Sequence, residues 1–205
     1  LIDNGCNIIY EDIDGIRGYK LTEDTEFDGT FRLMNGTLDL NGHTLTIHGD
    51  FIQEAGILKL NGGTLYVEGD FHLEKRKIVE NKPAIYSKSD GQIKIENKDD
   101  YLLVEGSFYA KSDSAFNLYK GIVEIKGNIN TSSPKNNSYY FENLILSGES
   151  EQTIQIQPQY SQIGNLVMKN NSDDGIHIVD SMMKVGKTLT TNETNVNGVL
   201  RVGND

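Results

Sequence analysis

From Phe31 onward, apolar and polar residues alternate along the chain with a period of two. Phe31 and Leu33 flank the charged Arg32, and residues 44–47 repeat the alternation as Thr, Leu, Thr and Ile. A period of two places alternate side chains on opposite faces of a β-strand. Gly and Asn, which favour bends, separate the alternating stretches. The pattern therefore predicts an all-β chain of short strands.

The alternation belongs to an internal repeat. Residues 36–55 (GTLDLNGHTLTIHGDFIQEA) align without a gap with residues 56–75 (GILKLNGGTLYVEGDFHLEK). Asn-Gly pairs also favour hairpins, but a meander of hairpins has no reason to restart the same residues, whereas stacked coils need equal perimeters. A period of about 20–22 residues is typical of a β-solenoid. With the usual right-handed crossover, the expected fold is a single-stranded right-handed parallel β-helix.

The repeat can be followed through the rest of the chain. Its corner glycine recurs at Gly49, Gly69, Gly106, Gly127 and Gly148. The long interval after Gly69 is predicted to hold a charged loop and then an extra coil at 84–95. About nine or ten coils at the strand spacing of about 4.8 Å would form a rod of roughly 40–50 Å.

The chain is accordingly expected to form one β-solenoid domain over residues 1–205 and to be a fragment of a larger protein. Residues 1–28 are less regular and are predicted to be an N-terminal coil or cap, which a solenoid end needs; the repeated coils occupy 29–205. The alignment also predicts three columns of inward-facing side chains. These columns are Leu45, Leu65, Leu102, Val123 and Leu144; Ile47, Val67, Val104, Ile125 and Leu146; and Phe51, Phe71, Phe108 and Ile129.

Composition narrows the range of partners. The formal net charge is −11, which argues against a nucleic-acid partner because phosphate binding needs clustered Lys and Arg. No run reaches the roughly 18 apolar residues that indicate a membrane span, so we expect no membrane insertion. Cys6 is the single cysteine and cannot form an internal disulfide.

One pair of acidic residues suggests catalytic or metal chemistry. Asp50 and Asp70 occupy the same corner of adjacent repeats, where two carboxylates can hold a cation or act as acid and base. Ser107 and Asn128 take this position in later repeats. The column therefore indicates a position that favours small polar turn residues, and we prefer that interpretation to a catalytic one.

The histidines and the short motifs give no stronger signal. The four histidines lack the spacing of metal ligands, and His48 aligns with Glu68, which it is expected to contact at the surface. The nucleophile elbow, the phosphate-binding loop and the dinucleotide fingerprint are all absent from the sequence. We therefore predict no catalytic residue, no metal site and no cofactor.

Aromatic residues crowd the middle third of the chain. Alternation predicts that Phe108 is buried and Tyr109 exposed, and two tyrosines follow a polar loop at 132–138. Exposed tyrosines can stack on sugar rings. The candidate glycan-binding residues are therefore Tyr109, Tyr119, Tyr139 and Tyr140. The alternative is that these rings fill the wider corners of the coils, because scattered surface aromatics are common.

Two segments resemble β-helical repeats in large secreted or surface proteins of Gram-positive bacteria. They are residues 40–53 (LNGHTLTIHGDFIQ) and 60–71 (LNGGTLYVEGDF). The resemblance continues at 100–108, 121–128 and 146–154, and so it spans most of the chain. It implies an extracellular or cell-surface solenoid segment of a multidomain protein, whose neighbours are other domains of the same chain, and it carries over no catalytic residues.

These observations favour a non-enzymatic structural or adhesive module. Such a module would be a rigid stalk that presents other domains or binds a glycan or a host-surface protein through many weak contacts. A carbohydrate-active enzyme, either a polysaccharide lyase or a hydrolase, is the alternative from another class, because such enzymes also use β-helices; fold alone is weak support for it. The shaft of a toxin-delivery protein is a third hypothesis.

Overall fold

The computed structural model describes residues 8–13, 16–112, 117–132, 139–156, 161–192 and 194–202. These ranges contain no helix, and hence none that is long and apolar enough to span a membrane. Their strands are β1 (Ile8–Ile13), β2 (Ile16–Leu21), β3 (Thr25–Phe27), β4 (Phe31–Leu33), β5 (Thr37–Asp39), β6 (Thr44–Ile47), β7 (Phe51–Gln53), β8 (Ile57–Lys59), β9 (Thr64–Val67), β10 (Phe71–Lys77), β11 (Ile85–Lys88), β12 (Gln92–Lys94), β13 (Tyr101–Val104), β14 (Phe108–Ala110), β15 (Asn117–Leu118), β16 (Ile122–Ile125), β17 (Ile129–Thr131), β18 (Tyr139–Leu146), β19 (Gln152–Ile156), β20 (Ser161–Met168), β21 (Ile176–Thr191) and β22 (Val196–Val202).

The strands wind into a parallel β-solenoid of about eight turns, as the repeat predicts. Each turn gives one strand to each of three parallel ladders, here called the first, second and third faces. The first face contains β2, β5, β8, β12, β15 and the N-terminal halves of β18 and β20. The second face contains β3, β6, β9, β13, β16 and the C-terminal halves of β18 and β20. The third face contains β4, β7, β10, β14, β17, β19 and the start of β21.

The core is built from the predicted columns. Leu45 lies opposite Leu65 and Leu65 opposite Leu102, and every residue of the three columns is at most 2 % exposed. On the third face Phe31, Phe51, Phe71 and Phe108 stack with neighbouring ring centroids 5.0–5.3 Å apart. Burying one such side chain contributes about 1.5–3 kcal/mol, so the stacked rings stabilise each turn on the next.

The corner glycine recurs because adjacent turns touch through their backbones there. A Cβ atom at Gly69 would lie 2.7 Å from the carbonyl carbon of Gly49, and one at Gly106 would lie 2.5 Å from the Gly69 oxygen. The amide of Gly69 donates to the Gly49 oxygen at 3.0 Å, and the amide of Gly106 donates to the Gly69 oxygen at 3.1 Å. A larger residue would push the turns apart and break these hydrogen bonds.

The long interval between Gly69 and Gly106 holds a hairpin, and the prediction of an extra coil at 84–95 is wrong. β10 continues beyond the third face and pairs antiparallel with β11, while β12 returns to the first face and pairs with β8. β13 then stacks directly on β9. The turn count is correspondingly about eight rather than nine or ten. A hairpin strand and a coil strand share a period of two, so alternation at 85–88 does not distinguish them.

The N-terminal part combines a covering strand with the first turn. β1 pairs antiparallel with β2, whose other edge pairs in parallel with β5. β1 therefore covers the outer edge of the first face, where unpaired backbone groups would otherwise be exposed. Stacking itself begins at Gly18, ahead of the boundary between 28 and 29, because β3 and β4 already pair with β6 and β7.

Candidate functional site

Asp50 and Asp70 accept hydrogen bonds from backbone amides of the next turn. The Asp50 carboxylate accepts a hydrogen bond from the Asp70 amide at 3.0 Å, and the Asp70 carboxylate accepts one from the Ser107 amide at 2.7 Å. The Ser107 hydroxyl accepts in turn from the Asn128 amide at 3.0 Å. The column is thus a row of side-chain acceptors, each satisfying one backbone donor, which explains why Ser and Asn replace Asp in it.

His48 lies between two glutamates at the surface. Its Nδ1 is 3.1 Å from Glu68 Oε1, as the alignment predicts, and its Nε2 is 3.4 Å from Glu26 Oε2 in the preceding turn. The hydrogen bonds to Glu68 and Glu26 raise the pKa of His48 above its ordinary value. Within the described ranges, no three His, Cys, Asp or Glu side chains are arranged to hold a metal ion.

Tyr109 does not join the other candidate tyrosines. It lies on the outer side of the third face, next to His72 in the strand register. His72 is 6 % exposed, and its imidazole is stacked between Tyr109 and Tyr86 of the hairpin, whose ring centroids are 4.8 and 4.5 Å away. One face of the Tyr109 ring is therefore covered by His72.

Tyr119 and Tyr140 do lie together, at the corner between the first and second faces. Tyr140 pairs with Asn117 two residues before Tyr119, and the two tyrosine rings are 5.7 Å apart at a tilt of 46°. Tyr119 is 54 % exposed, whereas Tyr140 is half-buried. The side chain of Tyr139 is outside the part of the chain that the structure describes. Tyr119 is therefore the exposed ring, and Tyr140 supports it from the next turn.

Glu142 fixes the position of Tyr140. The Tyr140 hydroxyl donates to one oxygen of the Glu142 carboxylate, and the Lys187 ammonium donates to the other. Burial would raise the pKa of Glu142, but these two hydrogen bonds outweigh it and hold the pKa below its usual range. Burial and the bond to Glu142 raise the pKa of Tyr140. This network stays fixed and charge-balanced near neutral pH.

A groove of about 490 Å³ lies beside Tyr119 on the outer side of the second face. Ile122, Ile145 and Val167, which come from three successive turns, form its apolar floor. Lys98 and Lys120 also line it. A cavity of this size with an apolar floor and a few polar groups has the general character of a ligand site.

A row of hydrogen-bonded side chains borders the groove. Asn143 donates to the Gly121 oxygen at 2.6 Å, and Asn165 donates to the Asn143 oxygen at 2.8 Å. The Thr188 hydroxyl continues the row by donating to the Asn165 oxygen at 2.7 Å. Gly121, where the row begins, has a φ of +45°, and a Cβ there would lie 2.5 Å from the Asp100 oxygen of the preceding turn. The row runs along the solenoid axis through four turns.

The sequence patterns did not predict the floor of this groove or its polar border. Ile145 and Val167 occupy outward positions, as alternation implies, but their neighbours in the same column are Glu124 and Thr190. The sequence signal for this floor is a pair of apolar residues, Ile145 and Val167, at the same outward position of two successive turns. The position of Asn143 follows from the strand register of β18, which alternation does not determine after the polar stretch at 132–138 in the sequence.

A scan of protein-family models and searches of curated proteins and of solved structures found no match to the chain. The β-helical repeat that the resemblance implies is confirmed by the fold. An origin in a Gram-positive surface protein stays a prediction.

Proposed function

We propose that the chain is a rigid, non-enzymatic β-solenoid module of a bacterial surface or secreted protein, which acts as a stalk and carries a glycan-binding groove. The other domains of the same parent protein would be held at a fixed distance by the solenoid. The observation that carries the adhesive part is the exposed Tyr119 ring beside a groove with an apolar floor. Aromatic rings bind the apolar faces of sugars.

Rigidity is supported by the continuity of the core. The columns through Leu45 and Ile47 pass from turn to turn without a polar interruption, and every turn is bonded to the next along three faces. A body of about eight turns at the strand spacing would be about 40 Å long. A continuous close-packed core has low compressibility, so a stack of this kind deforms little.

The absence of catalysis is supported by how the carboxylates are used. Asp50 and Asp70 accept backbone amides of the following turn, and Glu142 in the groove is held by Lys187 and Tyr140. A general acid near neutral pH needs a raised pKa, whereas that of Glu142 is lowered. These carboxylates therefore suit structural roles.

A glycan array probed with the labelled chain tests this proposal. We expect a set of bound glycans whose signals fall strongly for Tyr119→Ala and stay unchanged for Ile85→Ala. Ile85 lies on the hairpin and has the same exposed fraction as Tyr119, 54 %, so it is a matched control. Binding to host-surface proteins with an empty array would contradict the glycan assignment, and no binding at all would leave only the stalk role.

The enzymatic alternative is tested separately by incubating the chain with polyuronates and plant glycans. We expect no new reducing ends and no unsaturated products. Either product, formed by the purified chain and lost on mutation of a groove residue such as Glu142→Gln, would overturn the non-enzymatic proposal.

A further inference from the structure

The floor of the groove is an apolar patch on the outer side of the second face. Ile145 and Val167 face outward in adjacent turns, and the same column continues as Glu124 on one side and Thr190 on the other. Ile122 extends the patch into the preceding turn and is 36 % exposed. A flat apolar surface that spans three turns and stops at both ends matches a ligand with a flat apolar face of limited length.

The polar border supplies hydrogen bonds at regular intervals. Asn143 and Asn165 each carry an amide with two N–H hydrogens and an oxygen with two lone pairs. The bonds within the row use part of this capacity and fix the orientation of each amide. The remaining donors and acceptors therefore repeat along the solenoid axis at the turn spacing of about 4.8 Å. Their orientation is fixed before a ligand binds.

Tyr119 places an aromatic face at the corner of the groove. Its ring is supported by Tyr140 at 5.7 Å, and Glu142 immobilises the Tyr140 hydroxyl. A pre-positioned ring loses little conformational entropy on binding. The groove thus combines an apolar floor, a fixed ring and one polar edge, which are the features that a pyranose needs: C–H groups on its faces and hydroxyls around its rim.

Charge favours an uncharged ligand. Lys98 pairs with Asp99 at 2.6 Å, and Lys187 pairs with Glu142, so these two ion pairs are each neutral. Lys120 also lines the groove, and its ammonium can donate a hydrogen bond. The chain as a whole carries a net charge of −11, which repels acidic polymers at long range. A polyuronate would also bring carboxylates close to Glu142.

We infer that the groove binds an uncharged, equatorially linked pyranose chain, such as a β-1,4-linked glucan, extended along the solenoid axis with one sugar per turn. One turn advances about 4.8 Å, which is close to the length of one pyranose in an extended chain. Equatorial linkage keeps the chain straight and flat, whereas α-1,4 linkage curves it away from the floor. This inference rests on the proposed function and adds the class and the direction of the ligand.

Calorimetric titration of the whole chain with cellotetraose tests the inference. We expect Tyr119→Ala to weaken binding about five- to tenfold, in keeping with the loss of one aromatic contact, and Ile85→Ala to leave it unchanged. Val167→Glu should abolish binding because it places a charge on the floor. Thr46→Glu, in the same outward column at the other end of the solenoid, is its control and should bind normally.

Maltotetraose and tetragalacturonate test the ligand class. We expect both to bind at least tenfold more weakly than cellotetraose. Equal or tighter binding of either one would overturn the inference, as would cellotetraose binding that Tyr119→Ala and Val167→Glu leave intact. If cellotetraose does not bind but other glycans on the array bind through Tyr119, the ligand class is wrong and the proposed function stands. An empty array contradicts the ligand class and the glycan-binding part of the proposed function, and leaves only the stalk role.

Discussion

The turns at 36–73 and the turns around Tyr119 share the same coil architecture but differ in the side chains that they place on the outside. In the first region the corner residues join one turn to the next: Asp50 accepts a hydrogen bond from the Asp70 amide, and Gly69 leaves room for the backbone of Gly49. Around Tyr119 the outward positions are apolar and form a groove. The strict repeat is thus the scaffold, and the proposed binding surface lies where the outward columns depart from it.

The two regions also differ in how the chain turns between the first and second faces. At 37–47 the strands β5 and β6 are separated by a bend, with φ values of 51° at Asn41 and 82° at Gly42. β18 passes from the first face to the second as one strand of eight residues. The bend of the strict repeat is absent there, and Glu142 and Asn143 occupy the corner as extended residues that border the groove.

The largest expected effect is the removal of a stacked ring from the strict repeat. Phe71→Ala should lower the free energy of unfolding by about 3–5 kcal/mol, because it leaves a cavity between Phe51 and Phe108. Denaturant unfolding followed by circular dichroism measures the change. Met34→Ala, at a position 59 % exposed, is the control and should change stability by less than about 0.5 kcal/mol. A small loss for Phe71→Ala would contradict the role of the stack.

Substitutions in the corner column should lower the free energy of unfolding by a smaller amount, which depends on whether the new side chain keeps an acceptor oxygen. Asp70→Ala leaves the Ser107 amide without its side-chain acceptor and should cost about 1–3 kcal/mol. Asp70→Asn keeps an acceptor oxygen and should recover most of this loss. The same unfolding experiment compares the two variants. An equal loss for both would show that charge, and not the hydrogen bond, determines the choice of residue.

The hairpin should detach when its aromatic contact is removed. Tyr86 stacks on His72, and such pairs contribute about 0.5–1.5 kcal/mol. In Tyr86→Ala we expect faster hydrogen exchange of the amides at 74–88, with the core amides at 64–67 unchanged. Faster exchange in both segments would show that the hairpin is part of the scaffold and not an addition to it.

The smallest effect concerns His48. Its pKa is raised in the folded chain by Glu68 and Glu26, so the protonated form stabilises the fold at pH values below 6.5, the ordinary pKa. This contribution is lost as the pH rises from 6.5 through the raised pKa. His48→Gln should flatten the pH dependence of stability in this window. An NMR titration of the His48 ring that gives a pKa at or below 6.5 would contradict the contact.

The sequence predicts the residues of the core correctly, but it does not predict the hairpin of β10 and β11. Leu45 and Phe51 could be placed in columns because period two and the turn length together determine register. Residues 85–88 alternate in the same way but belong to a hairpin, because alternation reports strand conformation and not the strand's partner. Tyr86 of the hairpin stacks on His72 on the outer third face, which is why this outward residue is buried.

The candidate site was predictable only in part. The sequence predicts exposed rings at Tyr119 and Tyr140, but alternation does not show which of three outer faces a residue occupies. Tyr109 is therefore part of the same prediction, although it lies on the third face beside His72. The Glu142 contact with Lys187 joins residues from separate turns, and only the three-dimensional register brings them together.

The most direct test of the central claim is a methyl NMR titration of the chain, labelled at Ile and Val, with cellotetraose. We predict shift changes confined to Ile122, Ile145 and Val167, with Val67 in the core and Ile85 on the hairpin unaffected. Changes centred on Ile85, or spread evenly along the solenoid, would contradict the claim that ligand binding is located where the outward columns become apolar.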